Sequence, residues 1–337
     1  MAKIAFFEIE KWEEELVKNA LSGHELVFTE EKLDKENYSK YADFEIISPF
    51  IYSSLTNELL TNIPNLKFIA TRSVGYDHID INYCKEKNIV ISNIPKYGGN
   101  TVAEHTFALI LAISRKLIPS IEQTKRGDFT IDNLTGFDLC GKTIGVVGAG
   151  HIGKKIIDMA LCFGMKVLIF TRTKDESLTA NSNVTYAQSL DDLFANSDVI
   201  TFHLPHTKET EHIVNMGNID KFKKGCIIIN TARGNLIETQ AILEGIERGI
   251  FKAVGLDVLE EEATLKEERE LLTAEFLKSC DLKTQLLNHV LLTREEVIIT
   301  PHNAFNSKEA LTEIIDTTVA NINGFIAGRP QNIISAP

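Results

Sequence analysis

Between Thr143 and Gly164 the chain reads TIGVVGAGHIGKKIIDMALCFG. A β-branched run enters three glycines, Gly148, Gly150 and Gly153, and a helical pattern leaves them at once. Glycines spaced G-x-G-x-x-G recur by chance, but a strand before and a helix after supply the context in which they bind a dinucleotide. Gly148 permits a tight turn and Gly150 lets the backbone approach a pyrophosphate. His151 and Ile152 follow, and Gly153 then permits close helix–strand packing. The helix N-terminus presents unpaired N–H groups and a positive dipole end to the anion.

On either side of this stretch, short apolar runs alternate with helix-length amphipathic segments, the pattern of a parallel α/β protein. KIAFF, ELVF, FEIIS, LKFIA and IVISN precede the fingerprint as candidate strands, with KWEEELVKNAL and SLTNELLTNI as helices between them. A long helix, TVAEHTFALILAISRKLIPSI, is expected next, capped by Asn100 or Thr101 and ended near Pro119. The strand series KTIGVVGAG, KVLIFT, DVITFHL, CIIINTA, AVGLDV and VIITPH follows. Glu260 to Glu296 is strongly charged and reads as a surface excursion, and SKEALTEIIDTTVANINGFIAG forms a last amphipathic helix. The expectation is an α/β chain with two doubly wound parallel-sheet domains, of the Rossmann or flavodoxin-like kind.

The bulk numbers fit that division, since 337 residues are many for a single core. With 35 basic and 47 acidic residues the formal net charge is −12, which argues against nucleic acid as a partner. A small anionic substrate is compatible, because one local arginine can overrule the global field. Glu8 breaks the first apolar run, so no signal peptide is expected, and ALILAI is far too short to span a membrane. Cys84, Cys140, Cys162, Cys226 and Cys280 are an odd set without close pairing, as in reduced cytoplasmic proteins.

The second strand after the fingerprint, KVLIF, bears on the cofactor. NAD-binding versions place an Asp or Glu about 20 residues on, where it accepts the ribose 2′-OH. Here the strand runs into Thr171 and Arg172, while Asp175 and Glu176 come later. A carboxylate would repel a 2′-phosphate, whereas a hydroxyl and a guanidinium could bind it. Either NAD(H) or NADP(H) is expected, with NADP(H) use suggested.

Around the fingerprint stand TRSVGYDHID, TVAEHTFALIL, INTARGNLIET, VGLDVLEEE and VIITPHNAF. With these motifs in this order, the chain resembles the D-isomer-specific 2-hydroxyacid dehydrogenases over nearly its whole length, and most of all their D-lactate dehydrogenase branch. The resemblance implies a substrate domain over 1–100, a dinucleotide-binding domain over 101–300, and a C-terminal segment over 301–337 returning to the first. It implies an active site in the cleft between domains, and a homodimer with the AEH helix region at the interface.

Reduction of a 2-keto acid needs a cation for the carboxylate, a proton donor for the developing alkoxide, and a nicotinamide held nearby. Arg233 follows the strand CIIINTA, at a carboxyl end where α/β ligands bind, and its planar fork suits a carboxylate. His302 follows VIITP and is the candidate acid/base, since imidazole titrates near neutrality. By resemblance it pairs with Glu262, five residues after Asp257, whose charge would favour the imidazolium. Ala263 replaces the family's proline after that Glu, and Glu260–Glu262 otherwise reads as a solvated acidic run.

The resemblance also implies that Val74 and Gly75 offer amides to the substrate carboxylate and that Tyr97 faces the substrate. Thr101 and Val102 begin the helix facing the nicotinamide, His203 and Pro205 line the cofactor, and Thr231, Ala232 and Asp257 lie near the nicotinamide ring. Asp257 either accepts from its amide or supports His302 and Arg233. His105 reads as a structural histidine, and no histidine clustering suggests a metal. D-lactate is the expected substrate; glyoxylate, hydroxypyruvate or a branched 2-keto acid are alternatives, as is a non-catalytic NAD(H)-sensing scaffold that shares the fold.

Overall fold

Twelve strands, all in parallel ladders, make up the two sheets of the computed structural model, which describes residues 1–261 and 282–334. Contacts divide the chain into two compact units, one of Met1–Gly98 with Asn306–Pro337 and one of Gly99–Phe305.

The first unit holds β1 (Lys3–Phe6), β2 (Glu25–Phe28), β3 (Ile46–Ser48), β4 (Phe68–Ala70) and β5 (Val90–Ser92), ordered β2-β1-β3-β4-β5. Strand side chains alternate between faces. Ala5, Ile47, Ile69 and Ile91 therefore share one apolar layer, and Ile4, Phe6, Ile46, Phe68 and Ala70 share the other. The second layer is completed by Val17 and Leu21 near the N-terminus and by Ile315 and Ile322 of the helix Lys308–Ile326. Ser307 caps that helix by accepting from the Ala310 amide. Phe325, near its end, stacks on Phe68 with centroids 4.3 Å apart.

The second unit holds β6 (Thr143–Val147), β7 (Lys166–Phe170), β8 (Val184–Tyr186), β9 (Val199–Phe202), β10 (Cys226–Asn230), β11 (Phe251–Leu256) and β12 (Val297–Ile299). Their order is β12-β11-β10-β9-β6-β7-β8, so the direction in which successive strands are added reverses between β6 and β9. Ligands of open α/β sheets bind outside the strand carboxyl ends at such a switch point. Alternation again sorts the core: Ile144, Val146, Ile227 and Ile229 pack with Ala103, Ile110 and Ile156 on one face. Val147, Phe202, Ile228 and Leu256 pack with Phe194 and Ile242 on the other.

Three local expectations need correction. The helix read through to Pro119 is two helices, Gly99–Ser114 and Leu117–Lys125, broken at Lys116, whose φ is +53°. Pro119 lies in the first turn of the second helix, where its missing N–H has no intrahelical role. Asn100 and Thr101 are inside the first helix, which begins at Gly99, rather than capping it. The edge strand β8 was missing from the strand series, because three residues amid polar neighbours carry too little periodicity to announce a strand.

Phe68→Ala removes a fully buried ring that locks the C-terminal helix to the first sheet. A loss of about 3–5 kcal/mol is expected from urea unfolding followed by circular dichroism.

Candidate active site

The fingerprint turn leaves β6 as its spacing requires. Gly148 has φ +98°, and a Cβ there would stand 2.5 Å from the His203 carbonyl oxygen, so the turns after β6 and β9 meet backbone to backbone. A Cβ at Gly153 would lie 2.0 Å from the Gly148 oxygen. At Gly150, the cap of the helix His151–Cys162, it would meet nothing within 4 Å. Two glycines are thus demanded by packing, while the third faces open space at a helix N-terminus, which fits a pyrophosphate. The Ile152 side chain packs against the neighbouring core. A Cβ at Gly99 would collide with the His151 ring, so that imidazole lies against the start of the helix Gly99–Ser114.

After β9, the His203 ring meets the Thr201 hydroxyl at 3.0 Å, and its Nδ1 is sealed from solvent with no partner among the described residues. Burial pushes its pKa down to about 3, so the ring is neutral. Pro205 is exposed, and its carbonyl accepts from Thr210 Oγ1 at 2.7 Å.

At the end of β7, Thr171 is half-buried and Arg172 exposed. Asp175, the first carboxylate beyond them, is engaged by Lys154 Nζ at 2.6 Å and by the Ser177 hydroxyl at 2.6 Å, and these bonds hold it down to about 2. It is therefore already neutralised from within the fingerprint helix. The Arg172 guanidinium helps hold the Glu209 carboxyl below its ordinary range, after the larger effect of Thr207.

Asn230 closes β10 and is 1% exposed. Its Oδ1 accepts from the Ala232 amide at 3.0 Å and its Nδ2 donates to the Arg233 carbonyl at 2.8 Å. The half-buried Arg233 side chain is steadied by a 2.7 Å bond from Nη1 to the Ala232 carbonyl. Thr231 is buried with its hydroxyl 3.0 Å from that of Thr106, beside the buried Val102.

Asp257, just past β11, is 1% exposed. Its carboxylate accepts from Thr300 Oγ1 at 2.5 Å, from the Asn303 amide at 3.0 Å and from the Ala304 amide at 2.9 Å. His105 Nε2 meets the same Thr300 hydroxyl at 3.0 Å. These bonds straddle His302 and pin the turn that carries it, at φ +51°.

Glu262 lies outside the described residues. Glu260, expected on a solvated acidic face, is instead buried and bonded to His212 and Thr239. Sequence reading passed over it because a run of acids normally marks solvent; its place four residues past a strand's carboxyl end was the available signal. Asn230 and Thr300 were missed as well, and both stand at strand carboxyl ends.

In the first unit the segment after β4 is held from below. The fully buried Arg72 donates through Nη2 to the carbonyls of Phe7 and Glu8, and its amide donates to Pro49. The ends of β1, β3 and β4 are thereby tied together. Ser73 Oγ donates to the Gly75 carbonyl at 2.6 Å and Asn93 donates to that of Val74 at 2.8 Å. Tyr97 is half-buried at the end of this unit.

A family model for the NAD-binding domain of D-isomer-specific 2-hydroxyacid dehydrogenases matches residues 107–304. The chain belongs to that family: it is an oxidoreductase acting on the CH–OH group of small 2-hydroxy acids, and its second unit binds NAD(H). It is 30% identical to the D-lactate dehydrogenase of Escherichia coli, across 97% of each chain. It is 33% identical to the hydroxypyruvate reductase of Thermotoga maritima, over 88% of this chain and 90% of the other. A solved D-lactate dehydrogenase from Aquifex aeolicus, complexed with NAD and lactic acid, superposes with TM-score 0.85 at 35% identity over 99% of both chains. Among the described residues, no group of His, Cys, Asp or Glu could hold a metal ion, and no helix is long and apolar enough to cross a membrane.

Gly150→Ala and Gly153→Ala should separate ligand space from packing space. Gly150→Ala is expected to keep the native melting temperature yet weaken NADH binding about tenfold or more, read by fluorescence titration. Gly153→Ala is expected to lower the melting temperature by several degrees, because its Cβ meets main chain.

Proposed function

We propose that this chain is a D-lactate dehydrogenase that interconverts pyruvate and D-lactate. The observation that carries the reading is the likeness, over 99% of both chains, to the D-lactate dehydrogenase complexed with NAD and lactic acid. In this reading Arg233 binds the substrate carboxylate and polarises the keto oxygen through its planar fork. The Val74 and Gly75 amides bind the carboxylate as well, and Tyr97 faces the methyl side of the acid. His302 gives its proton to the oxygen as the carbonyl electron pair moves there, and takes it back in lactate oxidation. Glu262 favours the protonated imidazole. The nicotinamide supplies or accepts the hydride at the carbonyl carbon.

Gly148, Gly150, His151, Ile152 and Gly153 hold the pyrophosphate, and Val102, His203, Pro205, Thr231, Ala232 and Asp257 line the rest of the cofactor. NADPH is accepted beside NADH: Asp175 is bound by Lys154, and the exposed Arg172 beside Thr171 is available to a 2′-phosphate. A homodimer is supported by apolar side chains left in water on one stretch. Ile121 is 49% exposed, Phe129 78% and Ile131 81%, apolar side chains that a second copy would cover. The second reading, hydroxypyruvate reduction, draws on the Thermotoga maritima relative. Pocket shape separates the two acids by only about 1–3 kcal/mol per small group.

Initial rates at 340 nm with pyruvate, hydroxypyruvate, glyoxylate and a branched 2-keto acid decide the substrate. Pyruvate should give the highest kcat/KM; a higher value for hydroxypyruvate transfers the assignment to that acid. NADPH should support a kcat/KM within about tenfold of NADH, a gap of roughly 1.4 kcal/mol, and a preference for NADH a hundred times larger would refute dual use.

His302→Gln should lower kcat by about 10²–10⁴-fold. Arg233→Lys should act mainly on the keto-acid KM, by about tenfold or more, since a point charge replaces a bidentate fork. Full activity in either variant removes that residue from the mechanism.

A further inference from the structure

Glu260 is 8% exposed, and each of its carboxylate oxygens is bonded. Oε1 lies 2.5 Å from His212 Nε2, while Oε2 accepts from the Thr239 amide and hydroxyl, each at 2.6 Å. An ionised carboxylate only accepts, so Nε2 carries the ring proton in this contact. Asn288 Nδ2 donates to the Glu260 carbonyl at 2.8 Å, and Gln285 Nε2 to that of Glu261 at 3.1 Å, fixing the backbone on either side of the next peptide.

These partners come from different strand ends. His212 is on the connection that leaves β9 after His203 and Pro205. Thr239 opens the helix Thr239–Glu247 on the connection that carries Arg233 away from β10. Glu260 is on the segment that leaves β11 through Asp257 and runs toward Glu262. The first two connections are also laced together, His212 N to Asn235 O at 2.8 Å and Glu238 N to Val214 O at 2.9 Å. A Cβ at Gly234 would stand 2.0 Å from the Leu259 carbonyl oxygen, so the residue after Arg233 rests directly on the backbone leading into Glu260. Any displacement of Glu260 is passed to the base of Arg233 without an intervening side chain.

We infer that Glu260 and His212 are a positioning pair for the reaction: neither touches substrate, but together they set the placement of Arg233. The inference rests on the assignment of Arg233 to the substrate carboxylate. A buried carboxylate with three donors is costly to leave half-satisfied, so removing its charge shifts the connections it joins. The cofactor turn after β6 has no part in the contact. The connections it joins also carry His203, Pro205, Thr231 and Ala232, but the pyrophosphate rests on the β6 turn, so the keto acid loses much more affinity than the dinucleotide.

The test uses the full-length enzyme and the variants Glu260→Gln, His212→Gln, their double, and Thr239→Val. Glu260→Gln should raise the KM for pyruvate about tenfold or more while the Kd for NADH stays within about twofold. His212→Gln should do less, because the amide still donates to the carboxylate. The double variant should be no worse than Glu260→Gln alone, as expected for residues acting through one contact. A pyruvate KM unchanged in Glu260→Gln overturns the inference, as does a joint rise of pyruvate KM and NADH Kd with a falling melting temperature. Should Glu260→Gln fail to fold, Thr239→Val removes one bond and keeps the charge, and an unchanged pyruvate KM there overturns it equally. Arg233→Lys is run beside them: an altered KM in it with none in Glu260→Gln defeats this inference alone, whereas no change in Arg233→Lys defeats the assignment of Arg233 itself.

Discussion

Asp257 is a carboxylate at 1% exposure, and burying such a charge costs several kcal/mol unless its oxygens are bonded. Here that requirement is met by the Thr300 hydroxyl and by two main-chain amides, at Asn303 and Ala304. Those donors exist only if residues 300–304 adopt one particular turn, with His302 at φ +51°. The electrostatic need of one side chain is thereby tied to the backbone of the next strand's exit, where His302 stands. His105 takes the remaining side of the Thr300 hydroxyl at 3.0 Å. A helix that begins far from His302 in sequence thus takes part in placing it.

The same device recurs along the sheet. Asn230 satisfies its buried amide by binding Ala232 and Arg233, and Glu260 satisfies its charge by binding His212 and Thr239. β10 and β11 each end against a polar group that has to be paired, and the pairing holds the connection beyond it. Function is placed on loops, but on loops with little freedom, because moving them would strand a buried charge or amide.

Much of this was legible in the sequence and some was not, for separable reasons. The strands KIAFF, ELVF, FEIIS, LKFIA, IVISN, KTIGVV and their successors announced themselves because buried parallel strands are continuous apolar runs. Gly148, Gly150 and Gly153 were readable because glycine is conspicuous and the strand–helix context is local. The break at Lys116 was hidden, since Lys116 itself carries no turn signal and the apolar periodicity runs through it. Asp257 could be named only with two alternative roles, because its partners stand some forty residues on. Glu260 was misread for the same reason: composition marks an acid as solvated, and only tertiary contacts reveal that it has been enclosed.

Left-handed φ values are easy for asparagine but cost most other side chains roughly 1–2 kcal/mol. Beyond Asn88, Asn133 and Asn332, the non-glycine residues that adopt them among the described residues are Glu8, Lys116, His212, Glu261 and His302. Lys116 marks the break between two helices. The other four stand on connections leaving the carboxyl ends of β1, β9, β11 and β12. Strain of this kind persists only where surrounding bonds overdetermine it. Each of the four has such bonds beside it: Arg72 grips the carbonyl of Glu8, His212 reaches Glu260, Gln285 holds the carbonyl of Glu261, and Asp257 spans His302. A chain free to relax would unwind these positions first, so their conformations record which groups the fold was obliged to hold in place.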